Sequence, residues 1–150
     1  MSPPTHKEDI LARARQRAVT HGLDYAGAVT PDEAWQLLQA GARLIDVRTP
    51  AEQKYVGRVP GGIPIEWAGA DPSNPQRFVT ALAAIAQPDD VLLMLCRSGV
   101  RSHAAAGAAT AAGFRHAYNI LEGFEGKLDG QKHRGALEGW RFRALPWEQD

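Results

Sequence analysis

Apolar positions along this chain recur with two periods, and the alternation between them lays out its elements. Ile10, Leu11, Ala14, Ala18 and Val19 fall at helical spacing among charges between Lys7 and His21, after a loose end at Ser2 to Thr5. They predict an amphipathic helix that Gly22 stops and whose stripe packs against the rest of the chain. Tyr25 to Val29 reads as a short edge strand. Thr30-Pro31-Asp32-Glu33 then supplies an N-cap, a proline at the first helical position and an acidic first turn for a helix that runs to about Gln39. Arg43 to Val47 reads as a buried strand. Gly57 to Pro64 is a tight loop leading into an extended Ile63 to Trp67, and Asp71 to Pro75 is rich in turn residues. Phe78, Leu82 and Ile85 space a second core-facing helix between Phe78 and Ala86.

The unbroken apolar run Val91 to Leu95 suits a strand covered on both faces, and the alanine-rich His103 to Gly113 suits a helix after it. Ala104, Ala105, Ala108, Ala109 and Ala112 predict a small-residue face that lets this helix approach the sheet closely. His116 to Ile120 is the last strand. Strands alternating with helical segments of this length argue for an α/β fold around a parallel sheet. Glu125 to Glu138 is charged and glycine-rich, as a surface loop would be, and Trp140 and Trp147 are placed to close the core.

Composition narrows the classes. The chain has 150 residues, room for one domain with a real core, and 17 basic residues balance 17 acidic ones. That balance gives no electrostatic case for nucleic acid or an anionic membrane. No apolar run is long enough to span a bilayer and the N-terminus lacks a secretory h-region, which points to a soluble, cytoplasmic protein. A single cysteine, Cys96, excludes an internal disulfide and a structural zinc cluster, and no cofactor motif is present.

That cysteine stands where chemistry is expected. It follows directly on the apolar strand, at the carboxyl edge where open parallel sheets bind ligands, and a helix begins just beyond it. Arg97 and Arg101 flank the loop, and Gly99 permits a turn tight enough for several backbone amides to face one anionic atom. A thiol in such surroundings ionises more readily than an ordinary one. The competing reading is a buried cysteine acting as a small hydrophobe.

Cys96-Arg97-Ser98-Gly99-Val100-Arg101-Ser102 resembles the active-site loop of rhodanese-like sulfurtransferases. Asp46-Val47-Arg48 followed by Glu52 resembles that family's Asp-Val-Arg…Glu segment, and Gly57-Arg58-Val59-Pro60-Gly61-Gly62-Ile63 its Gly-His-Ile-Pro-Gly-Ala-Ile segment. Leu121-Glu122-Gly123 and Gly139-Trp140 through Leu145-Pro146-Trp147 resemble its C-terminal landmarks. The resemblance runs from about Thr30 to Trp147. It implies a three-layer rhodanese-like fold, with a mostly parallel central sheet of about five strands and helices on both faces. Residues 1–24 would be an N-terminal helical extension and 25–150 the domain.

What the resemblance implies chemically is sulfur transfer through a persulfide on Cys96, from a small anionic donor such as thiosulfate to cyanide, a thiol or a protein sulfur acceptor. Cys96 is the expected catalytic residue. Arg97, Ser98, Gly99, Val100, Arg101 and Ser102 form the substrate-binding loop. Asp46, Arg48, Glu52 and Arg58 are expected in support, with an Arg48–Glu52 pair as one option and Arg58 adding positive potential if it faces the pocket. His103 is expected to face solvent, and Phe124, where the family often has a second glycine, either narrows the pocket or packs. Two rivals stand beside this reading. One is a noncatalytic or pathway-dedicated carrier module. The other is a cysteine phosphatase or arsenate reductase, whose cradle is one residue longer between cysteine and arginine than the Cys96 to Arg101 loop.

Overall fold

The computed structural model describes residues 4–67 and 74–150. Part of the loose end expected at Ser2–Thr5 and of the turn-rich Asp71–Pro75 therefore lies outside the described residues. The elements run α1 (Pro4–His21), β1 (Gly27–Val29), α2 (Pro31–Gln39), β2 (Arg43–Asp46), α3 (Pro50–Tyr55), β3 (Ile63–Pro64), α4 (Gln76–Ala83), β4 (Val91–Leu95), α5 (Val100–Ala111) and β5 (His116–Ile120). The five strands pair in parallel in the order β1-β5-β4-β2-β3. Helix α3 was not expected from periodicity: it is six residues long and buries none of them.

Strand β4 lies at the centre, and the alternation of its side chains divides the core. Leu92, Met94 and Cys96 join a cluster with Phe78 and Leu82 of α4 and Ala105, Ala106 and Ala109 of α5. Leu93 and Leu95 face the other way, into a cluster with Ile10 and Ala14 of α1, Ala34 and Leu37 of α2, Phe124 and Trp140. Three layers result. The face that α5 buries is Ser102, Ala105, Ala106 and Ala109, so the small-residue stripe is rotated from the expected one and Ala104 and Ala112 stay exposed.

Helix α1 is fastened as well as packed. Thr30 and Glu33 form a capping box at the start of α2, and the Glu33 carboxylate also takes Arg17 at 2.7 Å and Arg13 at 3.1 Å from α1. Close approach depends on Gly27, where an added Cβ would lie 2.3 Å from the Ala14 carbonyl oxygen. Gly27→Ala is expected to destabilise by about 1–3 kcal/mol through overpacking, read as a lower denaturant midpoint at unchanged slope. Among the described residues no helix is long and apolar enough to cross a membrane.

The connection from β4 runs to β5 on one side, and that from β2 runs to β3 on the other. The carboxyl ends of β4 and β2, which carry Cys96 and Asp46–Arg48, therefore flank the switch point where parallel sheets open a crevice.

Candidate active site

Cys96 is the first residue past β4 and is 1% exposed. Its Sγ accepts the Gly99 N–H at 3.1 Å and lies 3.2 Å from the Ser102 hydroxyl oxygen. Gly99 has φ +107°, a left-handed conformation that lets the chain fold back over the sulfur and enter α5 at once. Among the described residues one amide reaches the sulfur itself, fewer than expected. The next N–H groups, at Val100, Arg101 and Ser102, open α5 with no carbonyl one turn behind them, so the positive end of the helix faces the loop. Arg97 and Val100 are exposed, and Ser98 is half-buried.

The loop is clamped from the Leu121–Gly126 side. Phe124 N–H donates to the Cys96 carbonyl at 2.8 Å, and the N–H groups of Glu125 and Gly126 donate to the Arg97 carbonyl at 3.0 and 3.2 Å. Gly123, at φ +68°, passes so close that a Cβ there would sit 2.5 Å from the Arg97 carbonyl. Gly123→Ala is expected to cost about 2 kcal/mol or more and to slow reaction at Cys96, because the left-handed backbone resists a Cβ and the loop must move aside. Melting and alkylation of Cys96, measured on the same sample, check both effects. Phe124 packs rather than narrowing the site: it is fully buried, with the Arg48 guanidinium 4.4 Å from its ring centre. The segment after it turns back at Asp129, and Gly126 and Gly139 bring its ends side by side. Of the two tryptophans expected to close the core, Trp140 is fully buried, whereas Trp147 is 40% exposed and lies edge-on to Phe124.

The supporting charges are wired differently from the expected Arg48–Glu52 option. Arg48 is fully buried and binds Asp46 through Nε–Oδ1 at 3.0 Å and Nη2–Oδ2 at 2.8 Å, with Nη2 also donating to the Gly57 carbonyl at 2.7 Å. Glu52 instead takes Arg101, both guanidinium N–H groups meeting its two oxygens at 2.8 Å. The reason is local. Arg48 precedes the N-cap Thr49 in extended backbone and shares the strand end with Asp46, while Glu52, third in α3, is turned to complete the Thr49 capping box. Burial pushes the Glu52 carboxyl up, but Arg101 and the Thr49 N–H outweigh it and hold it at about 2, against its usual 4.5. The same carboxylate raises the Arg101 pKa, and the Asp46 charge, together with that of Cys96 whenever the thiol is ionised, acts on Arg101 in the same direction. Arg101 is thus the cation tied to the cysteine loop. Arg58 is not brought to it: its guanidinium pairs with Glu148 at 3.4 Å and Asp150 at 2.9 Å.

One residue at the site belongs to none of the motifs in the sequence. Asn119 on β5 is 4% exposed, accepts the Ser102 hydroxyl at 2.5 Å and donates to the Gly99 carbonyl at 3.3 Å. A polar residue inside an otherwise buried strand was the available signal, since it must find partners. Beside it, a hollow of about 430 Å³ is bordered by Leu23, Tyr25, Gly99, Val100, His103 and Leu121. His103 is exposed as expected, yet its Nδ1 lies 2.6 Å from the Tyr25 hydroxyl.

The chain as a whole is similar to known proteins. The family model of the rhodanese-like domain matches residues 30–127. An uncharacterized protein of Rickettsia prowazekii is 33% identical over 123 residues, across 75% of this chain and 87% of its own length. The crystal structure of Rv0390 from M. tuberculosis superposes with a TM-score of 0.75 at 42% identity, covering 84% of this chain and 99% of that one. The human single-domain sulfurtransferase TSTD1 does so at 0.51 and 29% identity, over 65% of this chain and 90% of its own. With its all-parallel five-stranded sheet and a cysteine loop at the switch point, the chain belongs to the rhodanese-like domain family.

Proposed function

We propose that the protein is a sulfurtransferase of the thiosulfate type that carries sulfur as a persulfide on Cys96. The observation that supports this most is the sulfur's position, within hydrogen-bond reach of the Gly99 N–H and at the positive end of α5. The Cys96 thiolate attacks the outer sulfur of thiosulfate. The sulfur–sulfur bond of the donor breaks, and sulfite leaves with the bonding electrons. The outer sulfur stays on Cys96 as an anion, which the first-turn N–H groups of α5 stabilise as an oxyanion hole stabilises oxygen. Cyanide or a thiolate then attacks that outer sulfur and returns Cys96 to its starting state. A cysteine only 1% exposed favours a small donor over a bulky one. Exposed Arg97 on the loop and Arg101 behind it supply the attraction for an anion. A lone thiol with this task suits a reducing compartment such as the cytoplasm.

The phosphatase and arsenate reductase reading needs an arginine free to grip a tetrahedral oxyanion with both N–H groups. Arg101 has both engaged by Glu52, which favours sulfur. The test is intact mass after incubation with thiosulfate, followed by turnover to cyanide. Addition of one reductant-labile sulfur with thiocyanate release supports the transferase. An adduct that cyanide does not discharge supports a dedicated carrier, and no adduct with hydrolysis of an aryl phosphate sinks the proposal.

A further inference from the structure

Asn119 uses the two ends of its amide for different work. The Gly99 carbonyl can only accept, so it requires the Nδ2 end, which leaves Oδ1 facing Ser102. An amide oxygen can only accept as well, so at 2.5 Å it claims the single proton of the Ser102 hydroxyl. The Ser102 oxygen then has nothing but lone pairs to offer Sγ of Cys96, 3.2 Å away. Lone pairs of an oxygen and a sulfur anion repel at that distance, so the proton between them belongs to sulfur and the bond runs from S–H to oxygen.

We propose that Asn119 is a positioning residue that holds the Ser102 proton away from Cys96, so that the resting cysteine is a thiol donating to Ser102 and becomes a nucleophile only when that hydroxyl turns. The proton of sulfur leaves to water. The Ser102 O–H then swings from Asn119 to Sγ, and the Gly99 N–H stays where it is. No bond between heavy atoms forms or breaks, and no electrons are exchanged. Among the described residues the charged groups on the elements around the cysteine are exposed Arg97 on its own loop, Arg101 of α5, Glu52 of α3, and Asp46 of β2 with its partner Arg48. They act in both hydroxyl orientations. Tyr25 and His103, bonded to each other, border the same hollow as Asn119. Between turnovers the sulfur stays in its less reactive form, because oxidants and alkylating agents attack the thiolate. This inference deepens the sulfurtransferase reading by naming what governs its nucleophile.

The experiment is the rate of Cys96 alkylation by iodoacetamide across pH in the full chain, for wild type, Asn119→Ala, Ser102→Ala and the double variant. Freed from Asn119, the hydroxyl donates to the thiolate, so Asn119→Ala is expected to react about tenfold faster than wild type near pH 6. The rates should converge in alkali, where ionisation no longer depends on the Ser102 hydroxyl. In the Ser102→Ala background the Asn119 substitution should change the rate by less than about twofold. An Asn119→Ala protein no faster than wild type, one changed equally at every pH, or one accelerated just as much without Ser102 overturns the proposal. If near-ultraviolet circular dichroism shows that Asn119→Ala does not fold, Asn119→Ser, too short to span both partners, takes its place with the same expectations. Alkylation needs no sulfur donor. Failure of thiosulfate turnover would therefore count against the transferase and leave this result standing.

Discussion

Cys96→Ser is expected to take up no sulfur from thiosulfate and to lose turnover by at least about 10³-fold, while the protein still folds. The substitution changes one atom in a site already polar on two sides, where the Gly99 N–H donates to the side chain at position 96 and the Ser102 oxygen lies within reach of it, and a hydroxyl suits both as well as a thiol does. A serine hydroxyl keeps its proton at neutral pH, and among the described residues the groups bonded to position 96, the Gly99 N–H and the Ser102 hydroxyl, include no base to take it. Sulfur transfer also needs a sulfur nucleophile if the intermediate is to be a disulfide-like bond that an acceptor can open. A purely structural cysteine gives the opposite pattern. Cys96 packs with Met94, Ala105 and Ala106, and a serine there would lower the melting temperature and leave any activity in place. Intact mass, thiocyanate release and melting, measured on the same pair of proteins, separate the two.

The parts of this site that the sequence announces are those where one residue type has one use. A run of five apolar residues bounded by turn residues suits a covered strand, and the strand runs from Val91 to Leu95 as expected. Gly99 stands where the backbone must turn tightly, and it does so in a left-handed conformation. Helix α3 was illegible to periodicity because it has no buried face. Its signature was the capping box Thr49-Pro50-Ala51-Glu52, the same Thr-Pro-x-Glu pattern as Thr30-Pro31-Asp32-Glu33, which opens α2. In both, the glutamate that closes the cap is also the anchor for arginines from a distant element, Arg17 and Arg13 in one and Arg101 in the other. Pairing of charges was the least legible layer. Arg48 and Glu52 are four apart, a helical spacing, but the cap falls between them and sends their side chains to different partners. Nor does spacing reveal that Asn119 on β5 reaches a loop twenty residues earlier, since that contact exists only through the register of β4 and β5.

Arg101→Ala is expected to lower kcat/KM for thiosulfate by about 10²-fold, most of it in KM, because a cation held in the first turn behind the cysteine loop both draws in the donor and stabilises the sulfur anion. Arg101→Lys recovers only part: it keeps the charge but cannot meet both Glu52 oxygens, so the side chain loses the two contacts of 2.8 Å that aim it. Glu52→Gln tests the aiming alone. It leaves the arginine charged and the cap partly satisfied, and a loss of about tenfold is expected, smaller than that of Arg101→Ala. Acid provides an independent check on the pair. The Glu52 carboxyl sits at about 2 in the folded protein against its usual 4.5, so its contribution is complete above pH 4.5 and disappears as pH falls from there through about 2. Wild type should therefore exceed Glu52→Gln in unfolding free energy by about 2 kcal/mol at neutral pH, and the gap should close as the solution is acidified through that window. A gap that stays constant down to the lower end would mean that the capping box, which a neutral side chain can also make, carries the effect. In that case Arg101 is aimed by something other than this carboxylate.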